Sequence, residues 1–155
     1  QVSWTNTLSF LNNWEFNFFW HYAHARKAIN LTRFLSDNGG TTPDWNGDDD
    51  GDGQPNGIDR EEPGAGRFIE DAGYLKLREV SLYYTVPNTF LNDVTGGTVQ
   101  NVRLGVSGNN VLLFSPYSSY DPEVSEFGSS AIGTSVEVAP FPSSRKFMFH
   151  LQFDF

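Results

Sequence analysis

The last eleven residues, Arg145 to Phe155 (RKFMFHLQFDF), alternate without a break. Phe147, Phe149, Leu151, Phe153 and Phe155 fall on one side, and Lys146, Met148, His150, Gln152 and Asp154 on the other. Successive side chains of a strand point to opposite faces, so this segment is a strand whose two faces meet different surroundings. Four phenylalanines and a leucine on one face ill suit a sheet edge in water. They suit the last strand of a transmembrane β-barrel, apolar toward lipid and polar toward the lumen.

Composition agrees with that reading. Only 38% of the 155 residues are hydrophobic, yet 15% are aromatic, with 14 Phe, 6 Tyr and 4 Trp. A membrane barrel needs apolar side chains only at alternate positions, with aromatic girdles at the interfaces. No window approaches the ~20 consecutive apolar residues of a membrane-crossing helix, so any crossing is made by strands. The net charge of −9 offers no basic patch to displace phosphate counterions, which excludes nucleic acid as a partner. The absence of cysteine excludes disulfides and thiolate metal sites. Gln1 runs directly into strand-like sequence, and the expectation is that an export signal lies upstream on a longer chain.

Four more strands are legible. Val2, Trp4, Leu8 and Phe10 alternate with Ser3, Thr5, Thr7 and Ser9, and Asn12-Asn13 offers a tight turn. Trp14, Phe16, Phe18, Trp20 and Tyr22 then share a face opposite Glu15, Asn17, His21 and Ala23. A third strand starts at Tyr74. Its lower half sets Val80, Leu82, Tyr84 and Val86 on one face, while Leu75 and Leu77 fall on the other, which predicts a bulge or a membrane exit near Arg78-Glu79 before Pro87 closes it. In the fourth, Val102, Leu104 and Val106 alternate with Asn101, Arg103, Gly105 and Ser107.

The connections alternate short, long, short, long, the long ones being 28–73 and 114–144. Barrels of the outer membrane have short periplasmic turns and long extracellular loops, and counting back from the terminal strand puts both long segments outside the cell. The expected fold is all-β: about five antiparallel strands from the C-terminal part of a larger barrel, since a barrel needs at least eight to close.

Within the first long connection, Asp48 to Asp59 (DDDGDGQPNGID) fits the twelve-residue calcium loop. Asp48, Asp50 and Asp52 occupy positions 1, 3 and 5, Gly53 position 6, Gln54 the carbonyl position 7, Asn56 position 9 and Asp59 position 12. Position 12 departs from the usual Glu, and Pro55 stands where an apolar residue is common. No amphipathic helix is evident on either side, so the expectation is a structural calcium site. His21 and His24 share no face of a strand, and no nucleophile elbow, phosphate loop or zinc signature occurs, so no catalytic residues are assigned.

Phe68 to Pro87 (FIEDAGYLKLREVSLYYTVP), Val106 to Phe114 (VSGNNVLLF), Tyr120 to Val124 (YDPEV) and the close from Pro140 (PFPSSRKFMFHLQFDF) occur in order. Together they resemble the C-terminal region of SusC/RagA-type TonB-dependent outer-membrane transporters. The resemblance implies a plugged 22-stranded barrel in the outer membrane of a Gram-negative, Bacteroidetes-like bacterium. It implies a SusD-like surface lipoprotein as partner, TonB as the energy source acting through an N-terminal part this chain lacks, and glycan or peptide fragments as substrate. Phe147, Phe149, Leu151 and Phe153 would face lipid, and the terminal Phe155 would be read by the barrel-insertion machinery. The rival class is a secreted, calcium-stabilised β-domain that binds carbohydrate with its aromatics.

Overall fold

A computed structural model describes residues 1–61, 64–123, 136–139, 141 and 143–155. Its contacts divide the chain into two units: Gln1–Ala23, Leu75–Phe114 and Ser144–Phe155 form the first, and His24–Tyr74 with Ser115–Ser143 the second. Val124, Pro140 and Pro142, which entered the motifs above, lie outside the described residues.

The first unit is the five-stranded sheet expected from the alternating patterns. Its strands are β1 (Val2–Phe10), β2 (Trp14–Ala23), β5 (Tyr74–Thr85), β6 (Asn101–Phe114) and β8 (Lys146–Asp154), in the spatial order β1-β2-β5-β6-β8. The pairs β1–β2, β5–β6 and β6–β8 are antiparallel. By chain direction, β2 and β6 end where β5 and β8 begin, so both long connections leave from the same end of this sheet.

Two local features differ from expectation. The β1–β2 turn is built on Leu11 and Asn12, with φ of 51° and 62°, rather than on Asn12-Asn13. The second is α3 (Asn88–Thr95), which occupies the connection between β5 and β6. Pro87 at its N-cap and Gly96 at φ 62° past its end were a readable start and stop signal. The break foreseen near Arg78-Glu79 is present as a register shift between Leu77 and Glu79. Leu77 pairs with Leu112 and Glu79 with Asn109, so the extra residue sits in β6, where Asn110 takes φ 53°. Asparagine tolerates that left-handed conformation better than most residues.

The second unit has regular structure in the long connections, where no periodic pattern announced it. It holds a small sheet in the order β4-β3-β7, made of β3 (Lys27–Asn30), β4 (Ile69–Asp71) and β7 (Val136–Glu137). It also holds α1 (Leu31–Asn38), α2 (Asn56–Glu61) and a 3-10 turn at Gly64–Phe68. Asn30 caps α1 by accepting the Arg33 N–H at 2.9 Å. Ala28, Ala72 and Tyr117 form a small buried cluster, and Phe34 meets Phe68 edge to face at 5.4 Å. Among the described residues no helix is long and apolar enough to cross a membrane.

Candidate functional site

Register decides which side chains share a face of the five-stranded sheet. Trp4 pairs with Trp20, Leu8 with Phe16 and Phe10 with Trp14; Leu82 pairs with Val106 and Tyr84 with Leu104; Val106 pairs with Phe149 and Leu104 with Leu151. Trp14 and Tyr84 rings lie 4.7 Å apart, which carries the same face across from β2 to β5. The result is one apolar surface spanning all five strands, interrupted by Asn6 in the register of Phe18. Phe147, Phe149, Leu151 and Phe153 all stand on it, and Phe149 is 90% exposed. Phe147 also lies over Gly108, where a Cβ would meet its ring at 3.1 Å. Phe155 follows β8 with its ring stacked on Phe153 at 6.5 Å.

The opposite face is a hydrogen-bonded polar surface. Arg103 on β6 donates to Glu15 on β2 at 2.9 Å, and Asn17 donates to Glu15 at 2.9 Å and to Ser81 on β5 at 3.3 Å. Thr7 on β1 donates to Asn17 at 2.6 Å, and Ser107 on β6 meets His150 Nε2 on β8 at 2.7 Å. The Arg103 guanidinium sits 4.4 Å from the centre of the Tyr83 ring. Phe19 and Met148 share this register as apolar exceptions. His21 takes part through Ser3 at 2.8 Å, and this is a polar-face hydrogen bond between neighbouring strands. Such a sheet can satisfy water on one side and hydrocarbon on the other.

The acidic loop occupies the second unit. Asp48, Asp50 and Asp52 bring carboxylate oxygens within 4.8 Å of one another, all three exposed. Backbone N–H groups hold them there: Gly51 and Gly53 donate to Asp48 at 2.7 and 3.1 Å, Asp52 to Asp50 at 3.3 Å, and Gln54 to Asp52 at 2.8 Å. Gly51 and Gly53 supply the positive φ, 78° and 89°, that these turns need. Each carboxylate oxygen has further lone pairs, so the three groups can still hold a hard cation.

Two of the six expected ligands behave differently or stand apart. Asn56 is buried and braces the loop: it accepts from Asp49 N–H at 3.0 Å and donates to the Asp44 carbonyl at 3.2 Å. Asp59 lies within α2 and is not grouped with the three carboxylates. Gln54 follows Asp52 in the loop and donates its N–H to that side chain, its carbonyl being the group expected to ligate. The expectation that no helix flanks the loop is also corrected, since α2 starts at its position 9 and α1 precedes it.

What the local pattern missed is the clamp at the loop's base. Asn56 N–H donates to the Gly47 carbonyl at 2.7 Å and Gly57 N–H to the Trp45 carbonyl at 3.1 Å. Arg60 on α2 grips Asp37 on α1 through both oxygens, at 2.7 and 2.8 Å, and reaches Asp44 at 3.2 Å. Burial pushes the Asp37 carboxyl up, but the hydrogen bonds and charge of Arg60 outweigh it and leave the pKa below its ordinary value. Trp45 donates its indole N–H to the Asp37 carbonyl at 2.8 Å, and a Cβ on Gly57 would lie 2.0 Å from that ring. Gly57→Ala is therefore expected to displace Trp45 and loosen the clamp, at a cost of about 1–3 kcal/mol. Trp45 fluorescence, with the other tryptophans replaced by phenylalanine, should shift red; an unchanged spectrum would contradict the packing.

A second network holds the small sheet. Glu137, buried on β7, accepts from Thr32 at 2.7 Å, Ser119 at 3.3 Å and Tyr117 at 3.3 Å. Glu70 on β4 accepts from Ser118 N–H at 2.9 Å and Ser118 hydroxyl at 2.7 Å. Burial, with the charges of Glu137 and Glu70, raises the Tyr117 pKa far above its usual value, so this hydroxyl stays a donor.

No family model matches the chain. It is 28% identical over 92% of its length to TonB-dependent receptor P3 of Formosa agariphila, and 33% identical over 43% of its length to TonB-dependent receptor P26 of the same organism. The chain spans 15% of the first relative and 6% of the second. Its fold matches part of a solved RagAB peptide transporter, with a TM-score of 0.67 at 21% identity, covering 91% of this chain and 15% of that one. The RagAB peptide importer in its open-open state matches at 0.64 and 20% identity, covering 92% and 16%. In sequence the chain is similar to a part of TonB-dependent receptors, and in fold it is similar to a part of the RagAB transporter.

Proposed function

We propose that this chain is the C-terminal barrel segment of an outer-membrane transporter that imports glycan or peptide fragments in a Gram-negative bacterium. The observation that carries the reading is the division of one five-stranded sheet into a largely apolar, aromatic face and a largely polar, hydrogen-bonded face. Lipid meets the first, including Phe147, Phe149, Leu151 and Phe153, and the aqueous lumen meets the second, including Glu15, Arg103 and His150. The two long connections lie outside the cell, where a SusD-like lipoprotein closes over the substrate, and TonB supplies energy through a part of the protein beyond this chain. Relatives named as receptors and neighbours described as peptide transporters support the assignment. Cell fractionation tests it. The protein should sediment with the outer membrane, resist carbonate and salt extraction, and dissolve only in detergent; release into the soluble fraction would contradict it.

The acidic loop is proposed to hold one structural calcium ion through Asp48, Asp50, Asp52 and the Gln54 carbonyl. Convergence of three carboxylates on a loop already closed at its base supports this reading. Bringing them together without a cation costs repulsion, so a hard ion with six to eight oxygen ligands stabilises the arrangement. Chelation, or Asp48→Ala with Asp52→Ala, is expected to make residues 44–60 sensitive to protease while the sheet stays folded. Protease resistance that survives the chelator would sink the site.

A further inference from the structure

Helix α3, between β5 and β6, keeps its apolar residues to one side. At about 3.6 residues per turn, Phe90, Leu91 and Val94 fall within an arc of about 100°, and Thr89, Asn92 and Asp93 take the other side. Leu91 is buried and ties the helix to the protein, whereas Phe90 and Val94 are 59% and 68% exposed. The helix starts just past the last rung of the β5–β6 pair, where Val86 N–H donates to the Val102 carbonyl at 2.9 Å. Its end is closed by Gly96 N–H on the Asn92 carbonyl at 3.0 Å. The Thr95 hydroxyl adds to this, donating to the Leu91 carbonyl at 2.8 Å and accepting from Val99 N–H at 3.3 Å. Fixed at both ends, the helix cannot turn to hide its two exposed apolar side chains.

The rest of this rim is built the same way. Thr85 N–H donates to the Asn13 carbonyl and Gln100 N–H to the Asp154 carbonyl, both at 2.8 Å, so the β1–β2 turn, α3 and the last residues of β8 share one end of the sheet. Leu11 at that turn is 78% exposed, and Phe155 beyond β8 is 80% exposed. The apolar face of the sheet reaches the same end, where Val102 pairs with Phe153. A protein partner needs one patch. Exposed apolar side chains on three separate features of one rim, continuous with an apolar sheet face, fit a medium that surrounds the barrel. Charge narrows the choice of lipid: between Val86 and Val102 the only charged residue is Asp93, on the polar side of α3, so no Lys or Arg attracts an anionic headgroup.

We infer that α3 is an interfacial helix: Phe90 and Val94 enter the headgroup–acyl boundary of the periplasmic leaflet, zwitterionic phospholipid covers them, and Asn92 and Asp93 stay in water. The inference rests on the proposed membrane barrel and extends its lipid contact from the strands to a connection. The test uses the full-length transporter, cysteine-free elsewhere, in phosphatidylcholine vesicles, with Phe90→Cys, Asn92→Cys, Asp93→Cys, Val94→Cys and Phe149→Cys each carrying a nitroxide. Heat-modifiable migration reports that each variant is folded. Oxygen concentrates in lipid and a nickel chelate in water, so the ratio of their collision rates with the label reports the medium. Oxygen should dominate at 90 and 94 and the chelate at 92 and 93, and adding phosphatidylglycerol should change neither. Chelate dominance at 90 and 94 would put the helix in water, and exclusion of both colliders would mean that protein covers it; either result overturns the inference, as does a deeper position that depends on phosphatidylglycerol. Oxygen dominance at 149 with failure at 90 and 94 leaves the membrane assignment standing, whereas failure at 149 as well removes both.

Discussion

Phe149→Arg is expected to destabilise the membrane-embedded sheet by about 2–4 kcal/mol, whereas Gln152→Arg should cost far less. Phe149 is the fourth of nine residues in β8, close to the middle of a strand of about the length that crosses a bilayer. It stands on the apolar face and is 90% exposed, so a guanidinium there would face hydrocarbon. Gln152 pairs with Arg103 on the polar face, where water and hydrogen-bonding partners are at hand. Urea unfolding in liposomes should therefore show a lowered midpoint for the first variant and a nearly unchanged one for the second. Equal effects would mean that the two faces meet the same medium.

The second large effect is expected at Arg60. Asp37 is 1% exposed, and Arg60→Met would leave its carboxylate buried without the cation that compensates it, at a cost of about 3–5 kcal/mol. Because the pair ties α1 to α2, the loss should appear as local opening of residues 31–61, read by hydrogen exchange, with β5, β6 and β8 unchanged. Adding Asp37→Leu should recover part of the protection by removing the stranded charge. The pH dependence has a definite sign. The folded-state pKa of Asp37 is depressed, so its contribution is present above the ordinary carboxylate value of about 3.9 and is lost as pH falls through the lower folded value. Exchange protection in this segment should be flat through neutral pH and fall only in strong acid.

The sheet was legible because its physics is local. A period of two, carried over nine or more residues by Trp, Phe and Leu against Ser, Thr, Asn and Glu, specifies both a strand and its two faces without reference to any partner. Even the register shift showed itself, as the mismatch between Leu77 and Val80. The second unit was not legible, because its order comes from pairs far apart in sequence. Asp37 meets Arg60, Glu70 meets Ser118, and Thr32 meets Glu137 across 105 positions. None of these leaves a periodic trace. Helix α1 is only eight residues long and reads as polar loop, although Asn30 is a capping residue that could have marked its start. The acidic loop showed the spacing of its carboxylates but hid the bracing role of Asn56. A side chain that holds backbone and one that holds an ion look alike in sequence.

Accessibility of adjacent positions on β8 tests the central claim most directly. The segment contains no cysteine, so Lys146→Cys, Phe147→Cys and each following single substitution through Phe153→Cys can be made in turn. Each variant would be probed in intact outer membranes with a charged, water-soluble maleimide. Labelling is expected at 146, 148, 150 and 152, and its absence at 147, 149, 151 and 153. Uniform labelling, or labelling at 149 with protection at 150, would contradict a sheet that faces lipid with one side and an aqueous lumen with the other.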